Sequence, residues 1–403
     1  MITYVKQIYS VFKSILKSKY KWLAIFYLIW LYRIEFMPDT GEGFAKVVQV
    51  VSLFAIILLL NKYGGNFVAK GFNNTNGGVK TVLILYSFAV LSTIWAFLPQ
   101  FAFFLSFQNV VMILAMVWML TLFNDLRSVE KTFIYFVVFT VLFECIALRV
   151  SMQHVLIAHF LPAGSCAAML FSYCAGEYLA MKRKDEDRRK FLRNTMILSV
   201  IMLFMHTSGG ANASAAFGLA VALWFSRHYF IAFVLTVIAL YIIVNPDLIN
   251  AIILTLMPDK NIEQIESGNG RQMMWEILLD TARQKPLLGW GFACVERTVG
   301  NIFGDQILSD AHNNYIGMYG SLGIVGLLLY VIHYISHLFF SLKRRLRPGY
   351  VGILSATACG MLNGYSYGYM SGKTCSITVA YFALVALAYS YSKVKFYDRA
   401  VVK

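Results

Sequence analysis

Charge is scarce in this 403-residue sequence. Asp, Glu, Lys and Arg make up 14% of it, against about 25% in an average soluble domain. Acidic side chains are the scarcer sign, 20 against 35 Lys plus Arg, for a formal net charge of +15. Cysteine is limited to Cys145, Cys166, Cys174, Cys294, Cys359 and Cys375, with no CxxC pair and no metal-ligand spacing. That excludes a disulfide scaffold and leaves the thiols as small hydrophobes. No internal repeat is present, so an inverted-repeat transporter is not signalled. What abounds is apolar side chain, 59% of residues, with a mean hydropathy of +0.64. A water-soluble globule of this length exposes too much surface to hide so much of it. Composition therefore excludes a cytoplasmic enzyme and a disordered chain, and leaves a polytopic membrane protein.

Twelve apolar runs are long enough to cross or nearly cross a bilayer: 22–37, 44–60, 79–98, 101–123, 132–148, 160–180, 191–205, 209–225, 229–244, 314–340, 349–369 and 376–392. They predict an all-α bundle of about twelve transmembrane helices. Runs seven and eight are separated only by His206-Thr207-Ser208-Gly209-Gly210, which implies a tight hairpin. With the N-terminus inside, 26 of the 35 Lys and Arg residues fall in inner segments and seven in outer ones. This satisfies the positive-inside rule and places both termini in the cytoplasm. It also removes nucleic acid as a partner, because the basic charge is spread over many short loops. Residues 1–21 read as an amphipathic helix on the inner leaflet, and the first run as an uncleaved anchor. The expected organisation is helices one to nine over 22–244, a large outer loop over 245–313, helices ten to twelve over 314–392, and a cytoplasmic tail over 393–403.

The outer loop stands out because every other outer connection is short, and long connections are usually functional. It carries a Gly-rich turn (267–270) and then a helix from Arg271 to about Gln284, with Trp275, Leu278, Leu279 and Ala282 on one side. Three short patterns occur in order: Gly270-Arg271-Gln272-Met273-Met274-Trp275, Pro286-Leu287-Leu288-Gly289-Trp290-Gly291-Phe292, and Asp310-Ala311-His312-Asn313-Asn314-Tyr315. The last runs into a Gly-rich span containing Gly323 and Gly326.

This set resembles the bacterial O-antigen polymerase and O-antigen ligase superfamily, integral membrane glycosyltransferases of the lipid-linked, GT-C-like kind. The resemblance covers roughly 267–330 at motif level, plus the twelve-span layout with its large loop before the tenth span. It implies an inverting, metal-independent transfer at the outer face of the bacterial inner membrane. The glycan would leave undecaprenyl pyrophosphate under attack by a sugar hydroxyl. No cofactor is implied, and a chain-length regulator is an implied partner beside the glycan-lipids and the membrane.

The residues themselves suit that chemistry. A sugar hydroxyl is a poor nucleophile, and a neutral imidazole can take its proton. His312 sits where outer water meets the start of a span, and is the candidate base; a hydrated or capping histidine is the plainer reading. Asn313, Tyr315 and Trp275 flank it as candidate substrate contacts. A diphosphate leaving group calls for an arginine fork. Arg271 follows Gly268-Asn269-Gly270 at a helix start, where backbone N–H groups would assist; otherwise it is a solvated cation or pairs with Glu276 or Asp280. Members of the superfamily often carry a second arginine near the position of His206-Thr207-Ser208-Gly209-Gly210, and none is present there. His206, Arg149 and Arg297 are the candidates to replace it.

Other polar groups in the runs have plainer roles. The small residues from Gly209 to Gly218 suit close helix packing, and so does Pro162-Ala163-Gly164-Ser165. His333 and His337 have a metal-compatible spacing but no carboxylate or thiol close in sequence. Three functions compete: a polymerase that extends lipid-linked repeats, a ligase that passes the glycan to lipid A-core or protein, and a transporter gated by the outer loop. The polymerase is favoured on base rate alone. The transporter lacks paired carboxylates and matching broken helices in its spans.

Overall fold

The computed structural model describes residues 21–32, 41–73, 77–152, 161–181, 185–206, 208–245, 248, 271–303, 311–372 and 374–393. Among them the regular elements are helices, and no strand occurs. In chain order these are α1 (Lys21–Tyr32), α2 (Gly41–Asn73), α3 (Gly77–Leu91), α4 (Pro99–Leu120), α5 (Leu126–Met152), α6 (Leu161–Ala180) and α7 (Glu186–His206). They continue as α8 (Gly209–Phe225), α9 (Tyr229–Val244), α10 (Arg271–Arg283), α11 (Val295–Phe303), α12 (Asn314–Leu342), α13 (Tyr350–Ser366) and α14 (Ser376–Lys393). A helix lies on each apolar run read from the sequence. The amphipathic segment before Lys21, Arg33, Glu35, His154, His159, the 182–184 cluster, Asp310 and the tail beyond Lys393 lie outside the described residues.

Among the described residues, three helical stretches are long and apolar enough by themselves to cross a bilayer: Gly43–Gly64, Pro99–Leu120 and Asn314–Leu342. Lys21–Leu31, Gly78–Ile94, Gly209–Phe225 and Tyr229–Ile238 are apolar but shorter. Helix α9 packs on α8 and turns Phe230, Phe233, Leu235, Val237, Ile238 and Tyr241 outward. Water would not tolerate that surface, whereas lipid matches it. These helices make the chain a membrane protein.

The core follows from the same patterning. Helix α14 is apolar on all sides and is buried from Ser376 to Tyr391, with α4 and α5 against it. An all-round apolar helix belongs in the middle of a bundle. Helices α6, α7, α8 and α13 pack as a second group, and glycine sets their spacing. A methyl at Gly176 would meet the Gly352 backbone, and one at Gly218 would meet Ser172. The small-residue stretch of α8 is thus a packing face, as its composition predicts.

At one end of the bundle a buried ionic network ties helices together. Arg188 donates to Glu130 at 2.6 and 2.7 Å and to Glu177 at 2.7 Å. Glu177 also accepts from the backbone N–H groups of Gly349 (2.7 Å) and Gly352 (2.9 Å), at the start of α13. Tyr173 donates to Glu130 at 2.9 Å. A buried carboxylate needs several donors at once, and α6, α7 and the start of α13 supply them to this pair. Within the bundle His333 is fully buried, with Thr81 on Nδ1 and Tyr381 on Nε2, each at 2.9 Å. Both ring nitrogens are engaged by hydroxyls, so this histidine is a packing and hydrogen-bonding residue.

The connection between runs seven and eight is short, but α7 and α8 each pack on α6 rather than pairing as a tight hairpin. Helix α7 ends at His206, and Ser208 caps α8 by accepting from Ala211 N–H at 3.4 Å. Two features go beyond the sequence reading. Helix α11 forms within the segment that the sequence reads as an outer loop, and α12 is broken at Gly323, where φ is 65°.

Candidate active site

The site begins with a turn that the sequence makes possible. His312 has φ 48°, in the left-handed region that histidine visits more readily than most residues. That turn reverses the chain so that Asn313 can cap α12. The Asn313 side-chain oxygen accepts from Tyr315 N–H at 2.9 Å and Ile316 N–H at 3.1 Å. Backbone strain of this kind clusters at functional sites. Tyr315 then donates its hydroxyl to the Met361 carbonyl at 3.0 Å, tying α12 to α13. Asn314 is buried and accepts from Met370 N–H at 2.7 Å.

Helix α10 is held against this turn by its tryptophan. Trp275 Nε1–H donates to the Ala311 carbonyl at 2.9 Å, one residue before His312. Its ring meets Tyr365 edge-to-face, with centroids 5.4 Å apart. The buried face of α10 is Leu278, Thr281 and Ala282, close to the face its periodicity predicts. Asp280 pairs with Arg283.

Arg271, at the first position of α10, donates Nη1–H to the Ser366 carbonyl at 3.1 Å. Ser366 ends α13, where helical carbonyls lack intrahelical partners and carry partial negative charge, so a guanidinium is favoured. The next residue, Tyr367, stacks on His312, with centroids 6.2 Å apart and planes 28° apart. Adjacent residues at the end of α13 therefore hold Arg271 and His312, and the structure brings the two together. The start of α8 joins them, since a methyl at Gly210 would strike Ser366. His206 is buried close by and packs on Gly164 of α6, which also meets Ser208 and Ala211.

The other candidates fall apart from this group. Arg297 lies over the Phe101 ring at 4.0 Å, and the contacts that gather Arg271 and His312 do not include it. Arg149 is in α5, but its side chain lies outside the described residues. Among the described residues, no cluster of three or more His, Cys, Asp or Glu could hold a metal.

The middle motif has a backbone role. In an unbroken α12, Ile324 N–H would bond Gly320 and Val325 N–H would bond Ser321. Instead Ile324 donates to Pro286 at 2.9 Å and Val325 to Leu287 at 3.5 Å. The released carbonyls of Gly320 and Ser321 accept from Trp290 at 3.1 Å and Gly291 at 2.8 Å. The segment from Pro286 to Gly291 is thus a strap laid across the break, replacing two helical bonds with four. Gly289 (φ 67°), Gly291 (φ 97°) and Gly323 permit the approach. A methyl at Gly323 would collide with Leu287, and one at Gly289 with Ser321. Cys294 follows the strap, where burial pushes its thiol up to about 11, leaving it protonated and a poor nucleophile.

Sequence reasoning names His312, Arg271, Trp275, Asn313 and Tyr315 among the residues gathered here. It missed Tyr365, Ser366 and Tyr367, which no motif marks. Their signal was slight: two tyrosines flanking a serine near the end of a run. No curated protein matches the chain. Residues 195–331 match the family model described as O-antigen ligase, a stretch running from α7 into α12 and holding Arg271, the strap and His312. Over those residues the chain is similar to the O-antigen ligase family, which supports the O-antigen polymerase and ligase superfamily that its motifs resemble.

Proposed function

We propose that the protein is an inner-membrane glycosyltransferase that polymerises undecaprenyl-pyrophosphate-linked repeat units of a surface polysaccharide. In this reading the helices on all twelve runs cross the membrane, both termini are cytoplasmic, and the outer segment over 245–313 faces the periplasm. The observation that carries it is the placement of Arg271 and His312 on two successive residues, Ser366 at the end of α13 and Tyr367 just after it.

The chemistry is an inverting displacement. His312 takes the proton of the acceptor hydroxyl as its oxygen bonds the anomeric carbon of the donor sugar. The bond from that carbon to the phosphate oxygen breaks, and its electron pair leaves with undecaprenyl pyrophosphate. Arg271 stabilises the diphosphate charge as it develops, with His206 as the neighbouring group at the second phosphate. Trp275, Asn313 and Tyr315 hold the histidine turn and border the glycan. No metal enters this scheme, and a chain-length regulator acts as a separate partner.

The ligase reading, transfer of the finished glycan to lipid A-core or protein, keeps one specific support: the matched family model is described as O-antigen ligase. Gene deletion in the native host separates the two. A polymerase deletion leaves one repeat unit on the surface acceptor, whereas a ligase deletion strands long chains on the carrier lipid. His312→Ala should insert and fold as the parent does and lose glycan extension. Full extension by that variant would refute the assignment of the base.

A further inference from the structure

Helix α13 is buried along most of its length, yet Tyr365 near its outer end is 57% exposed. It immediately precedes Ser366, the residue that holds Arg271. Its ring is braced edge-to-face by Trp275, and Trp275 is pinned in turn by its N–H bond to Ala311. An aromatic side chain that only marks the membrane interface needs no such bracing. A rigid, exposed aromatic face beside a diphosphate-binding arginine matches the C–H-lined face of a pyranose, which rests on aromatic rings through dispersion and weak C–H contacts.

We propose that Tyr365 is the platform for the sugar of the lipid-linked donor that is joined directly to the diphosphate. This rests on the reading of Arg271 as the diphosphate ligand. It adds a specificity-determining residue for the donor sugar. With the sugar seated on Tyr365 and its diphosphate on Arg271, the anomeric carbon lies between them, turned toward His312.

Binding to the full-length protein in nanodiscs tests this with two probes, undecaprenyl pyrophosphate and the host's own undecaprenyl-pyrophosphate-linked repeat unit. Tyr365→Ala should weaken binding of the glycan-bearing lipid about tenfold and leave the bare diphosphate lipid unchanged. Tyr365→Phe should restore it, because the ring and not the hydroxyl carries the contact. Arg271→Ala should weaken both lipids. Equal affinity of Tyr365→Ala and the parent for the glycan-bearing lipid would overturn the platform alone, and so would an equal loss for both lipids. Failure of the parent protein to bind either lipid would overturn the proposed function with it. Tyr365 is exposed, so its truncation removes little packing, and an unchanged thermal midpoint confirms that each variant is folded.

Discussion

The Ala311 carbonyl decides where the candidate base points, because Trp275 grips the chain there, one residue upstream of a left-handed histidine. Trp275→Phe keeps a ring against Tyr365 but deletes the N–H donor. The expected result is a kcat roughly tenfold lower at nearly unchanged KM, since small misplacements of a reacting group cost rate more than binding. Steady-state glycan extension reads both constants. Asn313→Ala removes a side-chain cap and should cost about 1 kcal/mol, with Asn313→Ser restoring most of it. Differential scanning fluorimetry in detergent measures the difference. At this scale the sequence was legible where residue type carried meaning by itself: a histidine and an arginine at the mouth of apolar runs. Tyr365 and Tyr367 were not legible, because tyrosine at the end of a span is also what an interface alone selects. Only the fold shows that one ring meets Trp275 and the other His312.

The strap and the break in α12 make one unit, and neither part is stable without the other. A broken helix in an apolar bundle leaves backbone groups that lipid cannot satisfy, and the segment from Pro286 to Gly291 satisfies them. Gly323→Ala sets a methyl against the Leu287 backbone, and Gly289→Ala one against Ser321. Each should cost about 2–4 kcal/mol, through the positive φ and the collision together. Both should lower the thermal midpoint in detergent. A midpoint unchanged in either variant would show that the strap is not fixed as described. The glycines of this motif were visible in the sequence, but their partner lies some thirty residues away in α12. Hydrogen-bond exchange between distant segments leaves no periodic trace, so the motif read as a signature without a mechanism. Helix α11 escaped for a related reason: nine residues from Val295 to Phe303 offer too few turns for a convincing period.

Among the described residues, hydropathy made the helices legible, since each apolar run carries one. Charge made the orientation legible as an expectation but concealed a second use of the same residues. Arg188 belongs to the densest basic stretch, yet it is consumed by Glu130 and Glu177 and serves packing. Arg188→Met should destabilise the bundle by about 3–5 kcal/mol, because it strands two buried carboxylates. Adding Glu130→Gln and Glu177→Gln should recover much of that loss, and thermal unfolding of the two variants in detergent provides the comparison. That clamp grips the first residues of α13, while the last residues of the same helix support the guanidinium and the imidazole. One rod therefore carries the candidate pair as joint cargo. Breathing of the surrounding bundle that tilts this rod would move both groups in step and leave the gap between them unaltered. On the proposed polymerase reading, the walls could then loosen around a bulky glycan without spoiling the aim of the pair.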